Sequence, residues 1–149
     1  MQTLNQHITL LRNYSSVHWQ INSFGVGDAW ELVESFTKTN GVIGEDGTVD
    51  KFRNYPVMWV EVNGSSLSGS VLTDSYNIYF ADLVNKDERD ELEVLSDMKQ
   101  LCLDVAAYLK QSSDIETNMD VILEFTMEDF TEKFNDEVAG WILSVQIKQ

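Results

Sequence analysis

The sequence predicts an α+β fold: a mainly antiparallel sheet of about five strands, covered by a long crossover helix and a short N-terminal helix. Three observations carry this. From Tyr76 to Lys110 the chain passes from strand alternation, through a charged turn, into a long helical stripe, so two hydrophobic periods stand side by side. The closing stretch puts Trp141, Leu143, Val145 and Ile147 on one face and Ile142, Ser144, Gln146 and Lys148 on the other, the pattern of a one-sided strand. The element order reads helix, strand, strand, strand, long helix, strand, strand, so hairpins dominate and the long helix joins two strand groups.

Taken in order, residues Thr3 to Tyr14 place Leu4, Ile8 and Leu11 on one helical face, and Ser15 and Ser16 end that helix. Val17, Trp19 and Ile21 alternate briefly. Phe24-Gly25-Val26-Gly27-Asp28 reads as a glycine-bearing turn. Ala29 to Thr37 reads as a strand, since Trp30, Leu32, Glu34 and Phe36 alternate with Glu31, Val33 and Ser35. Asn40 to Asp50 holds three glycines and reads as a loop or hairpin tip. Tyr55 to Val62 is the most apolar strand, with Pro56 near its start, where a missing N–H is tolerated. Asn63 to Ser70 reads as a flexible connection to the strand Val71 to Leu83, giving an antiparallel hairpin. Asp87 is a plausible cap for the long helix, whose stripe is Leu92, Leu95, Met98, Cys102, Val105 and Leu109. Met119 to Phe125 reads as a strand, and Met127 to Glu137 as a charged connection to the last one.

The 149 residues fit a single domain over residues 1–149, and 43% hydrophobic content is enough for a real core. Ten Lys and Arg oppose 25 Asp and Glu, a formal net charge of -15. Such a surface repels phosphate backbones and anionic lipid, which argues against nucleic-acid and membrane binding. The single cysteine, Cys102, cannot form an intrachain disulfide and lies on the apolar stripe, as a small buried hydrophobe would. No leader with a basic region and apolar run is read at the N-terminus, and no run approaches the ~18 residues of a membrane span. These features predict a soluble chain made in a reducing compartment.

The residues offer little chemistry. His7 and His18 are the only histidines, and neither has a recognised spacing to a nucleophile or to metal ligands. They read as surface or edge histidines. Gly25 and Gly27 make only a lone GxG, which fits a tight turn better than a dinucleotide loop. The acidic run Asn85 to Asp90 lacks the central glycine of a calcium loop, and Glu45-Asp46-Gly47 with Asp50 fits a plain turn. No enzyme activity, cofactor or metal is therefore expected. Trp19, Trp30, Trp59 and Trp141 remain as interface candidates, because tryptophan is rarely hidden completely and is enriched in binding hot spots. Core packing is the competing role for each.

Several segments together resemble a known family. They are INSFGVGDAWELVES followed by YPVMWVEV, then YNIYFADLVNKDERDELEVLSDMKQLCLDVAAYL, and DEVAGWILSVQIKQ at the end. The pattern resembles small virion proteins of tailed phages and prophages of Bacteroidetes, including crAss-like phages. It spans most of the chain from about Ile21 onward, and its most specific parts are Glu93-Val94-Leu95-Ser96-Asp97 and Ala139-Gly140-Trp141. The resemblance implies a structural role at the head–tail connection and a fold similar to tail-terminator and tail-completion proteins. It implies a homo-oligomeric ring, of about six or about twelve copies if closed symmetry holds, located in the neck or tail of the virion and made in the host bacterial cytoplasm. Its partners would be adjacent neck, portal or tail proteins, with DNA passing through unbound. The glycine-rich loops Asn40–Asp50 and Asn63–Ser70 would then reach neighbours and become ordered on assembly. The alternative reading of the same charge is an acidic cytoplasmic binding module, or a DNA-mimic inhibitor of a basic partner protein.

Overall fold

Five strands form one sheet in the order β1-β2-β3-β5-β4. The computed structural model describes residues 3–32, 55–84, 90–111, 122–133 and 137–149. In chain order these comprise helix α1 (Leu4–Val17), β1 (Ser23–Val26), β2 (Val57–Ser68), β3 (Val71–Leu83), helix α2 (Glu91–Gln111), β4 (Ile122–Lys133) and β5 (Glu137–Lys148), with a helical stretch at 29–32. The α+β class and the five-stranded sheet are as the sequence predicts. The sheet is mixed: β1 joins β2 in parallel, and the other three pairings are antiparallel. β3 and β4 both run antiparallel to β5, which lies between them, and α2 falls between β3 and β4 in the chain.

Helix α1 begins at Thr3, whose hydroxyl accepts from the Gln6 N–H at 3.3 Å while the Gln6 side chain accepts from the Thr3 N–H at 2.7 Å. This reciprocal cap satisfies two donors that the first turn would leave orphaned. The helix outlasts its expected end at Ser15. Both serines turn their hydroxyls back, Ser15 onto the Arg12 carbonyl and Ser16 onto the Asn13 carbonyl, each at 2.7 Å. Its buried face is His7, Leu10, Leu11 and Tyr14, so Leu4 lies outside the core.

Three further expectations are corrected. Phe24 to Val26, read as part of a turn, lies in β1, paired with Met58 to Val60. Ala29 to Leu32, read as the start of a strand, is helical. The Asp28 carboxylate accepts from the Glu31 N–H at 2.8 Å and its carbonyl from the Leu32 N–H at 3.3 Å. That cap outweighs a four-residue alternation; the rest of the expected strand, 33–37, lies outside the described residues. Likewise β4 continues through Met127–Lys133, where a connection was expected, because every residue from Ile122 to Lys133 has a partner on β5. The hairpin of β2 and β3 is confirmed, yet Asn63–Ser68 belongs to β2 and the turn is short. Gly64, at φ 102°, takes up the register shift between Val62 and Ser65, and Gly69, at φ 61°, makes the turn. Few residues except glycine adopt such angles.

Helix α2 is capped by Asp90, whose carboxylate accepts from the Glu93 N–H at 2.8 Å. Asp87 lies outside the described residues, as do Asn40–Asp50 and the Glu45–Asp50 turn. The buried stripe is Val94, Met98, Leu101, Cys102, Val105 and Leu109. Leu92 is 74% exposed, and Leu95 is half-buried. The stripe is rotated at its start because Val94 meets the sheet. Both helices lie on one face of the sheet, over Met58, Val60, Tyr76, Ile78, Phe80, Leu143, Val145 and Ile147. On the opposite face a smaller cluster gathers Leu32, Tyr55, Val57, Trp59, Ala81 and Val138, with Tyr79, Leu83 and Phe130 packed against it. Burial pushes the Cys102 thiol up to about 12, so it is an inert core side chain. No helix among the described residues is long and apolar enough to cross a membrane.

Candidate functional site

The four tryptophans part into two pairs. Trp59 is buried, and its indole N–H donates to the Gly27 carbonyl at 3.1 Å. Trp141 is half-buried against α2, where its N–H donates to the Leu95 carbonyl at 2.8 Å and Lys99 Nζ stands 5.5 Å from the ring centre. Both are fixed by packing plus a satisfied polar handle. Trp19 and Trp30 are 83% and 70% exposed, and Val17 beside Trp19 is 79% exposed. Exposed large aromatics of this kind suit contact with another surface. In variants retaining one tryptophan each, acrylamide should quench Trp19 and Trp30 efficiently and Trp59 and Trp141 weakly. Equal quenching of all four would contradict this division.

Among the described residues, the smaller apolar cluster fills only one end of the second sheet face. Beyond it the face turns polar and opens to water. Strand registry aligns Glu61, Asn77, Ser144 and Thr126 in one row across β2, β3, β5 and β4. Asn77 Nδ2 donates to Glu61 Oε1 at 3.1 Å, and the Ser144 hydroxyl donates to Asn77 Oδ1 at 2.9 Å. Glu61 also accepts from the Ala29 N–H at 2.7 Å and from the Tyr79 hydroxyl at 3.2 Å. Burial, with the nearby Glu61 carboxylate second, pushes the Tyr79 phenol up to about 12, so it stays a donor at neutral pH. The next rows bring Ser75 to Gln146 and Glu124, and Thr73 to Lys148 and Ile122. Lys148 meets Glu124 at 2.8 Å. Glu124, Thr126, Glu128 and Gln146 are exposed. Among the described residues, the carboxylates of Glu61, Glu124 and Glu128 thus outnumber the one cation of this strip, Lys148.

The histidines were expected at the surface, and His7 corrects that reading: it is only 1% exposed. Its place on the α1 face, one turn before Leu10 and Leu11, carries it into the core. Nδ1 lies 2.7 Å from the Tyr76 hydroxyl and 3.9 Å from Asp74 Oδ2. Asp74 Oδ1 accepts from the Ser65 hydroxyl at 2.6 Å. The four side chains hold a serine, a histidine and an acid, but not in catalytic order. Nucleophilic activation needs histidine between serine and carboxylate, one nitrogen to each. Here Ser65 bonds the carboxylate directly, and His7 Nε2 is buried without a partner beside a cavity of about 10 Å³ lined mainly by leucine, isoleucine and valine. Burial lowers the His7 pKa below 6.5, against the opposing pull of Asp74, so the ring is neutral at pH 7. The cluster ties α1 to the sheet. His18 is half-buried: its Nδ1 accepts from the Gln20 N–H at 3.2 Å, which leaves Nε2 to donate to Asp104 at 3.3 Å.

One open cleft of about 410 Å³ lies between α1 and β1, bordered by Arg12, Ser16, Asn22 and Phe24. The Arg12 guanidinium sits 5.6 Å over the Phe24 ring. The neighbouring polar groups are already committed: Ser16 to Asn13, and Asn22 Nδ2 to the Tyr55 carbonyl at 2.7 Å. Among the described residues no group of three or more His, Cys, Asp or Glu is placed to hold a metal ion. No protein-family model and no curated protein matches this chain.

Sequence reasoning missed the His7 cluster and the polar row. A signal for the first was present, since His7 stands at helical spacing from Leu10, Leu11 and Tyr14. The second depends on which strands become neighbours, and no local pattern encodes that.

Proposed function

We propose that this protein is a non-enzymatic structural subunit of a phage head–tail connector ring, a neck or tail component that joins portal or tail proteins and lets DNA pass. The observation that carries the reading is the asymmetry of the sheet: helices cover one face, while half of the other is open, polar and acidic. Facing a channel, Glu61, Glu124 and Glu128 would repel phosphates by a field that grows with copy number and falls with salt. The sequence resemblance to small virion proteins supports the same role, and with it a tail-terminator-like fold in which α2 is the crossover between the two strand groups. Trp19 and Trp30 then meet neighbouring subunits or the adjacent neck, portal or tail proteins. The ring we propose closes through head-to-tail contacts between two different patches of each subunit, with about six or about twelve copies.

Gln146 offers a direct test, because it is exposed on the open face and the sole native cysteine is fully buried. A Gln146→Cys variant labelled with nanogold should place gold in the central hole of negatively stained rings. Gold on the outer rim would contradict the channel-lining role.

A further inference from the structure

Among the described residues, the outer edge of β4 is an unfilled strand position, and backbone geometry identifies which groups it offers. Leu72 and Gln149 exchange two hydrogen bonds, N–H to carbonyl at 2.9 and 2.8 Å. In antiparallel sheets both backbone groups of a residue point to the same side, and successive residues alternate sides. Odd-numbered residues of β5 therefore point toward β3, as the Val84 N–H bond to the Glu137 carbonyl at 2.9 Å also requires. Even-numbered residues of β5 point toward β4. Their partners on β4 are also even-numbered, from Ile122 opposite Lys148 to Glu132 opposite Val138. Leu123, Phe125, Met127, Asp129 and Thr131 consequently turn their N–H and carbonyl groups outward, and among the described residues no strand lies beyond them.

Natural sheets usually blunt such an edge with lysine, proline, a bulge or brevity. β4 has twelve residues in unbroken register. Its guard is acidic instead. Glu124 and Glu128 stand exposed on one face of the edge, Asp129 is exposed on the other, and Glu91 of α2 accepts from the Thr131 hydroxyl at 2.8 Å. Like charges opposite each other disfavour pairing of β4 with β4 of a second copy, each copy carrying a net charge of -15. The same carboxylates favour a strand that brings cations.

We propose that the β4 edge binds an extended, lysine- or arginine-bearing segment of a partner protein by strand addition. The outward groups of Leu123 to Thr131 supply the backbone ladder, and Glu124, Glu128 and Asp129 select the basic side chains. Glu124 and Glu128 also belong to the open acidic face, but this interface is read by peptide binding to the edge and needs no ring to form.

The test uses the full chain, isotope-labelled, and four synthetic ten-residue peptides: one alternating lysine with valine, one with glutamate in place of lysine, and two lysine peptides N-methylated on alternate amides, one in each register. The lysine peptide should bind saturably, shift the amide signals of Leu123, Phe125, Met127, Asp129 and Thr131, and weaken with salt. N-methylation in one register should weaken it about tenfold or more, because the ladder loses its donors. The triple variant E124Q/E128Q/D129N should show a similar loss while keeping its fold. Equal affinity for the N-methylated peptides would reduce the effect to charge attraction and overturn the proposal. So would absence of binding, amide shifts confined to other elements, or self-pairing of β4 that the lysine peptide does not displace.

Discussion

Gly140→Ala should destabilise the protein by about 1–3 kcal/mol, the range for forcing an added carbon into a filled interior. The reason is geometric. A Cβ at Gly140 would overlap the carbonyl oxygen of Phe80 and crowd the Ala81 Cα. Both obstacles are backbone of the neighbouring strand β3, so no side-chain rotation relieves them. Gly140 pairs with Ala81 on one side and Phe130 on the other, which spreads any shift across three strands. For a chain of this length the melting temperature should drop about 2–4 °C per kcal/mol. Urea unfolding with an unchanged slope and an earlier midpoint would assign the loss to the folded state. A variant as stable as the parent would show that β3 and β5 can separate freely at this point. This also gives a physical reason for the Ala139-Gly140-Trp141 segment: Ala139 is fully buried, Gly140 admits a close backbone, and Trp141 anchors α2 through the Leu95 carbonyl.

The second large effect concerns acid. Burial holds His7 below its unfolded pKa of 6.5. Below pH 6.5 the unfolded chain takes up a proton that the folded chain resists, so the unfolded state binds more protons and folding stability falls as pH falls. The contribution is fully present above 6.5 and is lost progressively down to the lower folded value. Its limiting slope is about 1.4 kcal/mol per pH unit for one proton. Urea midpoints measured from pH 7.5 to pH 5 should show this decline. The double variant His7→Leu/Tyr76→Phe replaces both members of the buried contact by apolar groups of similar shape, which avoids leaving either one orphaned. It should remain folded and lose the His7 part of the slope. An identical decline in parent and double variant would assign the acid sensitivity elsewhere. Tyr76, whose ionisation is pushed upward by burial and by Asp74, stays neutral throughout this range.

Much of the fold was legible because its longest elements carry strong periods. β5 alternates without a break, and every expected stripe residue from Met98 to Leu109 is buried, with Leu101 added to them. The errors fall where a local signal was short or contested. β1 has four residues and little alternation, and its identity comes from parallel pairing with β2. After Asp28 a strand was expected, yet Asp28 itself, three positions before Glu31, was the better clue, since it caps a helical turn. The second half of β4 was masked by its own charge: Glu128 and Asp129 resemble a solvated connection, yet they belong to an edge strand. The site was harder. Four tryptophans could be named, but their division into buried and exposed pairs is a tertiary property. The polar row from Glu61 to Thr126 joins residues from four strands and has no sequence signature at all.

The central claim is that copies of this chain close into a ring. Native mass spectrometry of the purified protein, taken over rising concentration, tests it most directly. The account predicts one dominant closed species at a single copy number, with Trp19 and Trp30 losing their access to acrylamide as it forms. A monomer–dimer distribution at every concentration, with both tryptophans still open to quencher, would contradict it.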